Sequence, residues 1–462
     1  MPPMASDRVG GLRVLLALRH NAYRAFPQRC LEEPVVVLKA AGRSVALATS
    51  PDAVRHIMIT HGEDYVRLPF GRRVLGPIAG RGLIVSEGET WREQRRAMAP
   101  AFTPRNVPIM AQHIMRSTEA SCDRLARSAG TEVDLLHEMQ MLSLEIACSS
   151  LFSMEAATFS ADIWRTVTEY MQTIGRLFPA DVFLPDAIPT PLRARRASFR
   201  RRWTNLIRSI IAVRRKAERA DAPRDLFDLL AEAHGADRED LLVDEVSTMI
   251  VAGHETTALA LFWACTLLAQ SKSWQEAVAA EAQGVDLSVE GAAASLPKLV
   301  LTRAVVEETL RLYSPAFMTG RLAHRPHEVC GAQVPAGSII LLPYWMLHRS
   351  PRWWAQPNAF DPTRFLNGAQ PDRLTYLPFG VGRHVCIGAQ LAMSEAILAI
   401  ARLVRQFTFT MTSTRAVLPV GTISTRPDHS PRFMLTARAS SNAFSITGSR
   451  PETYSANVGS IG

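Results

Sequence analysis

Residues 240–270 hold one helical, largely apolar pattern long enough for about eight turns, and any fold must accommodate it. Its middle departs from its flanks. Ala252-Gly253-His254-Glu255-Thr256-Thr257 places a glycine, an acid and two β-branched hydroxyl residues inside an apolar helix. Glycine and threonine are poor helix formers. A buried acid or hydroxyl is costly unless hydrated or paired. Such local inconsistency tends to mark function. The plainer alternative is a threonine hydroxyl bonded back to a carbonyl one turn earlier.

A second stretch crowds three glycines around one cysteine: Phe379-Gly380-Val381-Gly382-Arg383-His384-Val385-Cys386-Ile387-Gly388. An amphipathic run follows at once, with Leu391, Ala392, Ala396, Ile397, Ile400 and Leu403 at helical spacing. Cys386 therefore sits in a loop at a helix start, where free N–H groups and the dipole favour a thiolate. Glycines let backbone N–H groups turn to the sulfur and let a flat ligand approach. No Cys-x-x-Cys pair or His-rich spacing accompanies it, which argues against zinc there. Taken alone, a buried free thiol remains the alternative.

Elsewhere, residues 35–40 and 45–49 read as a hairpin around Gly42-Arg43. Residues 66–89, rich in Gly, Pro and Arg, read as a long loop. Trp91 and Arg95, four apart, share one face of the helix that follows. Prolines between 178 and 191 force a loop before a basic helical segment, 193–202. That segment is either a solvated face or a contact for a membrane surface or acidic partner. Glu308 and Arg311 share a face of the helix at 299–313. Residues 334–342 read as turn then strand, and 440–462 as a disordered tail.

At 462 residues, 47% hydrophobic and 21% charged, the chain has the composition of a soluble globular protein. Six scattered cysteines fit a reducing cytoplasm. The apolar core of the N-terminal segment, 14–18, is far short of the ~20 residues of a membrane span. Net charge is +9, nearly all from arginine, with lysine only at 39, 216, 272 and 298. A chain-wide arginine bias is a poor argument for nucleic-acid binding; a locally basic face for an acidic protein stays open.

The cysteine stretch resembles the Phe-x-x-Gly-x-(Arg/His)-x-Cys-x-Gly loop of the cytochrome P450 family. Three further patterns resemble that family in order and spacing: Ala252–Thr257 with its Gly-x-Glu-Thr, Glu308-x-x-Arg311, and Pro362-x-Arg364-Phe365. The resemblance implies a mainly α chain with a small β region, the single-domain P450 fold, spanning residues 30–438 between an N-terminal segment 1–29 and the tail. It implies haem b, with Cys386 as the iron's axial ligand and Phe379, Gly380, Gly388 and Ala252 against the cofactor. Trp91, Arg95, Arg321 and His384 are then expected at the propionates. His384 stands where many members carry Arg, which makes that contact titratable. Thr256 and Glu255 are implied in oxygen activation, and Glu308, Arg311 and Arg364 in a buried supporting network.

The implied activity is a haem-thiolate monooxygenase that activates dioxygen and hydroxylates or epoxidises an apolar small molecule: a terpenoid, fatty acid, steroid or polyketide-like compound. Alternatives are a P450 that uses peroxide or rearranges oxygenated lipids, and a non-catalytic haem or ligand-binding protein. Electrons are expected from a separate ferredoxin or flavodoxin with its reductase, docking at Arg383, Arg373 and Arg92. A cytoplasmic monomer without a transmembrane anchor is expected.

Overall fold

The computed structural model describes residues 4–5, 17–40, 42–153, 159–178, 181, 188–216, 225–234, 239–366 and 372–438. The predicted tail and most of 179–187 lie outside these. The long apolar pattern forms one helix, Glu239–Gln270, through the core. Its side chains are buried almost all round, as expected of a helix apolar on every face. It meets the length and apolarity of a membrane span, but 83% of that stretch is buried inside the protein. Helices Val107–Arg127, Leu135–Phe152 and Ala389–Gln406 share a core with it, closed by Phe262, Trp263, Phe407 and Phe433. Trp263 stacks on Tyr313 at 3.9 Å between ring centres and donates its N–H to the Thr425 carbonyl.

The expected hairpin is the edge of a five-stranded sheet ordered Val35–Ala40, Arg43–Ala48, Ile339–Leu342, Thr319–Ala323, Tyr65–Arg67. Its first turn uses Gly42 at φ +77°, a conformation L-residues rarely adopt. Three of the four pairings are antiparallel; Arg43–Ala48 runs parallel to Ile339–Leu342. Ala22, Tyr23 and Phe26, from the N-terminal segment, pack beneath the sheet with Phe317 and Trp345. A smaller sheet joins Glu132–Asp134, Arg432–Ala437 and Phe407–Met411.

Two expectations change. The loop at 66–89 contains a helix, Pro69–Ala79, begun by a proline at its first turn and burying Val74 and Ile78. Tertiary packing overrides the low propensity of Gly71, Gly76 and Pro77. The stretch after it is tied to the central helix: Asp244 accepts from the Arg81 N–H at 2.8 Å and Glu245 from Leu83 at 3.1 Å. The basic segment lies in helix Pro191–Lys216, and part of its charge faces inward. Arg196 is buried in an ion pair with Asp181, and Arg200 pairs with Asp244.

Candidate active site

Cys386 lies three residues before the first residue of helix Ala389–Gln406, with Gly388 at the N-cap. Its own N–H is bonded to the Phe379 carbonyl at 2.9 Å, which folds the loop back on itself. Gly380 and Gly382 both take positive φ, +72° and +77°. At Gly382 a Cβ would lie 2.1 Å from the Met58 carbonyl oxygen, so the close seat of the loop requires glycine. Arg95 clamps the other side, donating to the Val385 carbonyl at 2.6 Å. The cysteine is accessible on one side and crowded by protein on the other. Burial raises its thiol pKa, against the opposing Gly388 N–H and Arg95 guanidinium.

Beside this loop lies a cluster of cations. Arg67 and Arg321 are direct cross-strand partners in antiparallel register. Like charges directly opposite are destabilising. Arg321 is buried and, among the described residues, donates to Thr319 Oγ1 and the Gly320 carbonyl. Burial pushes the Arg67 pKa down to about 10 and lowers that of Arg321. Glu87 is the carboxylate they share, 3.3 Å from Arg67, 4.0 Å from Arg383 and 3.7 Å from His384. The His384 ring meets Trp91 edge-on at 4.4 Å. Burial, then the charges of Arg67, Arg321, Arg383 and Arg95, push its pKa down to about 2. In the bare chain this field holds His384 toward its neutral form.

The central helix has one half-exposed face near its middle, formed by Met249, Ala252, Gly253 and Thr256 at helical spacing. Thr256 Oγ1 donates to the Ala252 carbonyl at 2.6 Å, the back-bond that the sequence left as an alternative. Glu255 turns away from that face. It is buried, 2.7 Å from Arg426 and accepting from Ser424 at 3.2 Å. Burial raises its pKa against the pull of Arg426 and Ser424. His254 is also buried, with Nε2 3.1 Å from the Gln140 carbonyl and a pKa pushed by burial to about 4.

Glu308 and Arg311, both fully buried, form a two-pronged pair at 2.6 and 2.7 Å. Arg311 also donates to the carbonyls of His348, Pro357 and Ala359. Arg364 approaches Glu308 at 3.5 Å. Bidentate geometry and satisfied carbonyls are what a buried ion pair requires.

Sequence reasoning missed Arg67, Glu87, Arg426 and Ser424, because each enters through pairing with a residue distant in the chain. The outward residues expected for a donor divide. Arg373 is exposed; Arg92 is exposed but paired with Glu89 and Glu63; Arg383 is partly drawn inward to Glu87. A cleft of about 640 Å³ between helices Pro69–Ala79 and Pro191–Lys216 is lined by several arginines and three aspartates, and by none of the predicted site residues.

Comparison with known proteins agrees with these patterns. The profile of the family described as Cytochrome P450 matches residues 14–428. Cyclooctatin synthase of Streptomyces melanosporofaciens is 31% identical over 79% of this chain and 81% of its own. Cytokinin hydroxylase of Arabidopsis thaliana is 29% identical, over 77% and 72%. Cyclooctat-9-en-7-ol 5-monooxygenase, also of S. melanosporofaciens, is 32% identical, over 70% and 72%. Among solved structures, the heme domain of cytochrome P450DA superposes with a TM-score of 0.78 at 20% identity, over 95% of this chain and 99% of that one. The match spans nearly the whole chain, and the chain belongs to the cytochrome P450 family, monooxygenases that carry haem.

Proposed function

We propose that this protein is a haem-thiolate monooxygenase that inserts one atom of dioxygen into an apolar small molecule, with haem b as cofactor and Cys386 as its axial ligand. The observation that carries the reading is the cation cluster beside the cysteine loop. Arg67 faces Arg321 across a strand pair, and Arg95, Arg383 and His384 crowd in with one carboxylate between them. The buried Arg67 Nε, Arg383 Nε and His384 Nε2 have no hydrogen-bond partner among the described residues. Such a cluster fits a dianionic cofactor edge, and the two propionates of haem are one.

Bound haem with a thiolate ligand supplies the activation of dioxygen. The chain's residues do the rest. The loop from Phe379 to Gly388 holds the sulfur, and Trp91, Arg95, Arg321, His384 and Arg67 hold the acidic edge. Glu308, Arg311 and Arg364 fix the support behind the loop. Glu255, whose pKa burial raises against the pull of Arg426, is a proton reservoir, with Arg426 setting its affinity. Thr256 orients a proton carrier at the open helix face once its hydroxyl leaves the Ala252 carbonyl.

The substrate proposed is apolar, with terpenoids foremost; one relative's name states that it oxygenates cyclooctat-9-en-7-ol. Met249 and Ala252 present an uncharged open face, and Ile423 lies at the edge of the same apolar cluster. Electrons come from a separate ferredoxin or flavodoxin, with exposed Arg373 as one docking charge, and the protein acts as a monomer. Six free cysteines support a cytoplasmic location.

The test is turnover of a terpenoid and fatty-acid panel with a surrogate ferredoxin, its reductase and isotopically labelled dioxygen. One labelled oxygen per product is expected. Product formed with hydrogen peroxide but none with the reductant and redox partner supports the peroxide-using alternative instead.

A further inference from the structure

Three histidines from two distant parts of the chain meet on the far side of the segment that seats the cysteine loop. His56 and His61 bracket a single π turn, His56–Thr60, in which the His61 N–H bonds the His56 carbonyl five residues back at 2.9 Å. This i to i+5 turn brings the two rings to 4.3 Å between centres, and such turns concentrate at functional sites. His327 opens strand His327–Val329 and lies 5.3 Å from the first ring and 5.0 Å from the second. The approach is fixed by the backbone, because the His324 N–H donates to the Asp64 carbonyl at 2.8 Å.

One nitrogen from each ring falls within 4.8 Å of the others. That span is little more than twice the zinc–nitrogen bond of ~2.0–2.1 Å, so small side-chain rotations close it on one ion. Buried His56 Nε2 has no hydrogen-bond partner among the described residues. Asp64 stands 3.3 Å from His327 Nε2, the position of a carboxylate that orients a ligating imidazole. Arg325, exposed, faces Asp64 from outside at 3.5 Å. All three residues are half-exposed, so an ion can enter from solvent.

We propose that His56, His61 and His327, with Asp64 orienting His327, form a binding site for a divalent transition metal of the zinc class. Imidazole nitrogen suits zinc, copper or nickel, and does not suit magnesium or calcium. The site's place in the fold assigns its effect. The Met58 carbonyl of the same π turn occupies the space that a side chain at residue 382 would need. An ion fixing that turn braces the cysteine loop from behind. It is a structural ion, with no part in oxygen chemistry.

The test uses the untagged holoprotein, freed of metal with a chelator and titrated with Zn²⁺ alone by calorimetry. One ion per chain is expected, with affinity at least tenfold weaker in His61→Ala and in His327→Gln. Both variants should keep the haem absorption spectrum, which shows that they fold. Zinc-edge X-ray absorption should report nitrogen and oxygen neighbours only. Absence of stoichiometric binding, binding unchanged in both variants, or a sulfur neighbour traced to exposed Cys330 by Cys330→Ser would each overturn the proposal.

Discussion

Arg67 and Arg321 face each other across two antiparallel strands, two buried-side guanidiniums held together by backbone register. The pair is unfavourable in the bare chain and favourable beside an acidic ligand edge. Arg321→Leu is therefore expected to leave the melting temperature of the haem-free chain unchanged or raised. The same change should speed haem loss about 10- to 100-fold, the equivalent of one charge-assisted contact of about 1.5–3 kcal/mol. Thermal melts of the haem-free protein and haem transfer to an acceptor such as apomyoglobin check both halves.

Replacing Cys386 by Ala should abolish the strongly red-shifted Soret band of the reduced carbon monoxide complex. Since burial raises the thiol's pKa, the haem-free protein should also alkylate slowly at neutral pH. A retained red-shifted band in the alanine variant contradicts the ligand assignment; rapid alkylation contradicts only the raised pKa of the haem-free thiol.

At the open face of the central helix, Thr256→Ala should still consume reductant and oxygen while releasing peroxide in place of most of the product. Arg426→Ala removes the charge that pulls the Glu255 pKa down, so Glu255 should stay protonated to higher pH. A pH profile of coupling efficiency, shifted upward in Arg426→Ala and unshifted in a distant control, checks the link.

Ser143 sits between Glu395 and the His254 carbonyl, at 3.1 and 3.0 Å. One hydroxyl hydrogen cannot serve both acceptors. If Ser143 donates to His254, Glu395 must itself donate, which requires the protonated acid. Burial agrees, pushing the Glu395 pKa up to about 8. A folded pKa above the unfolded value of about 4.3 makes stability full below that value. It then falls as pH rises toward 8, because the unfolded chain releases the proton first. Glu395→Gln should match the parent near pH 5 and melt higher than it near pH 8.

The parts legible in the sequence are those whose partners lie within one turn or one loop. The cysteine loop, the Glu308–Arg311 pair and the run that became Glu239–Gln270 are local patterns with local periodicity. Arg67 was unreadable because its meaning comes from strand register with Arg321. Arg426 was unreadable because it reaches Glu255 from a far-off strand. The helix Pro69–Ala79 was hidden by glycines and prolines that its packing tolerates. The surroundings of His384 were not legible, since its burial and the charges of Arg67, Arg321 and Arg95 come from the tertiary fold.

The seat of the cysteine loop also sets an order of events in synthesis. Met58, against Gly382, and Arg95, clamping Val385, leave the ribosome long before Cys386. The sulfur, however, cannot reach that seat until the chain beyond the central helix has emerged. The early residues must wait for these late partners, with Arg95 lacking the Val385 carbonyl. Cofactor capture is thereby confined to a nearly finished chain, and a nascent fragment that stops before Cys386 cannot sequester haem through the proposed ligand.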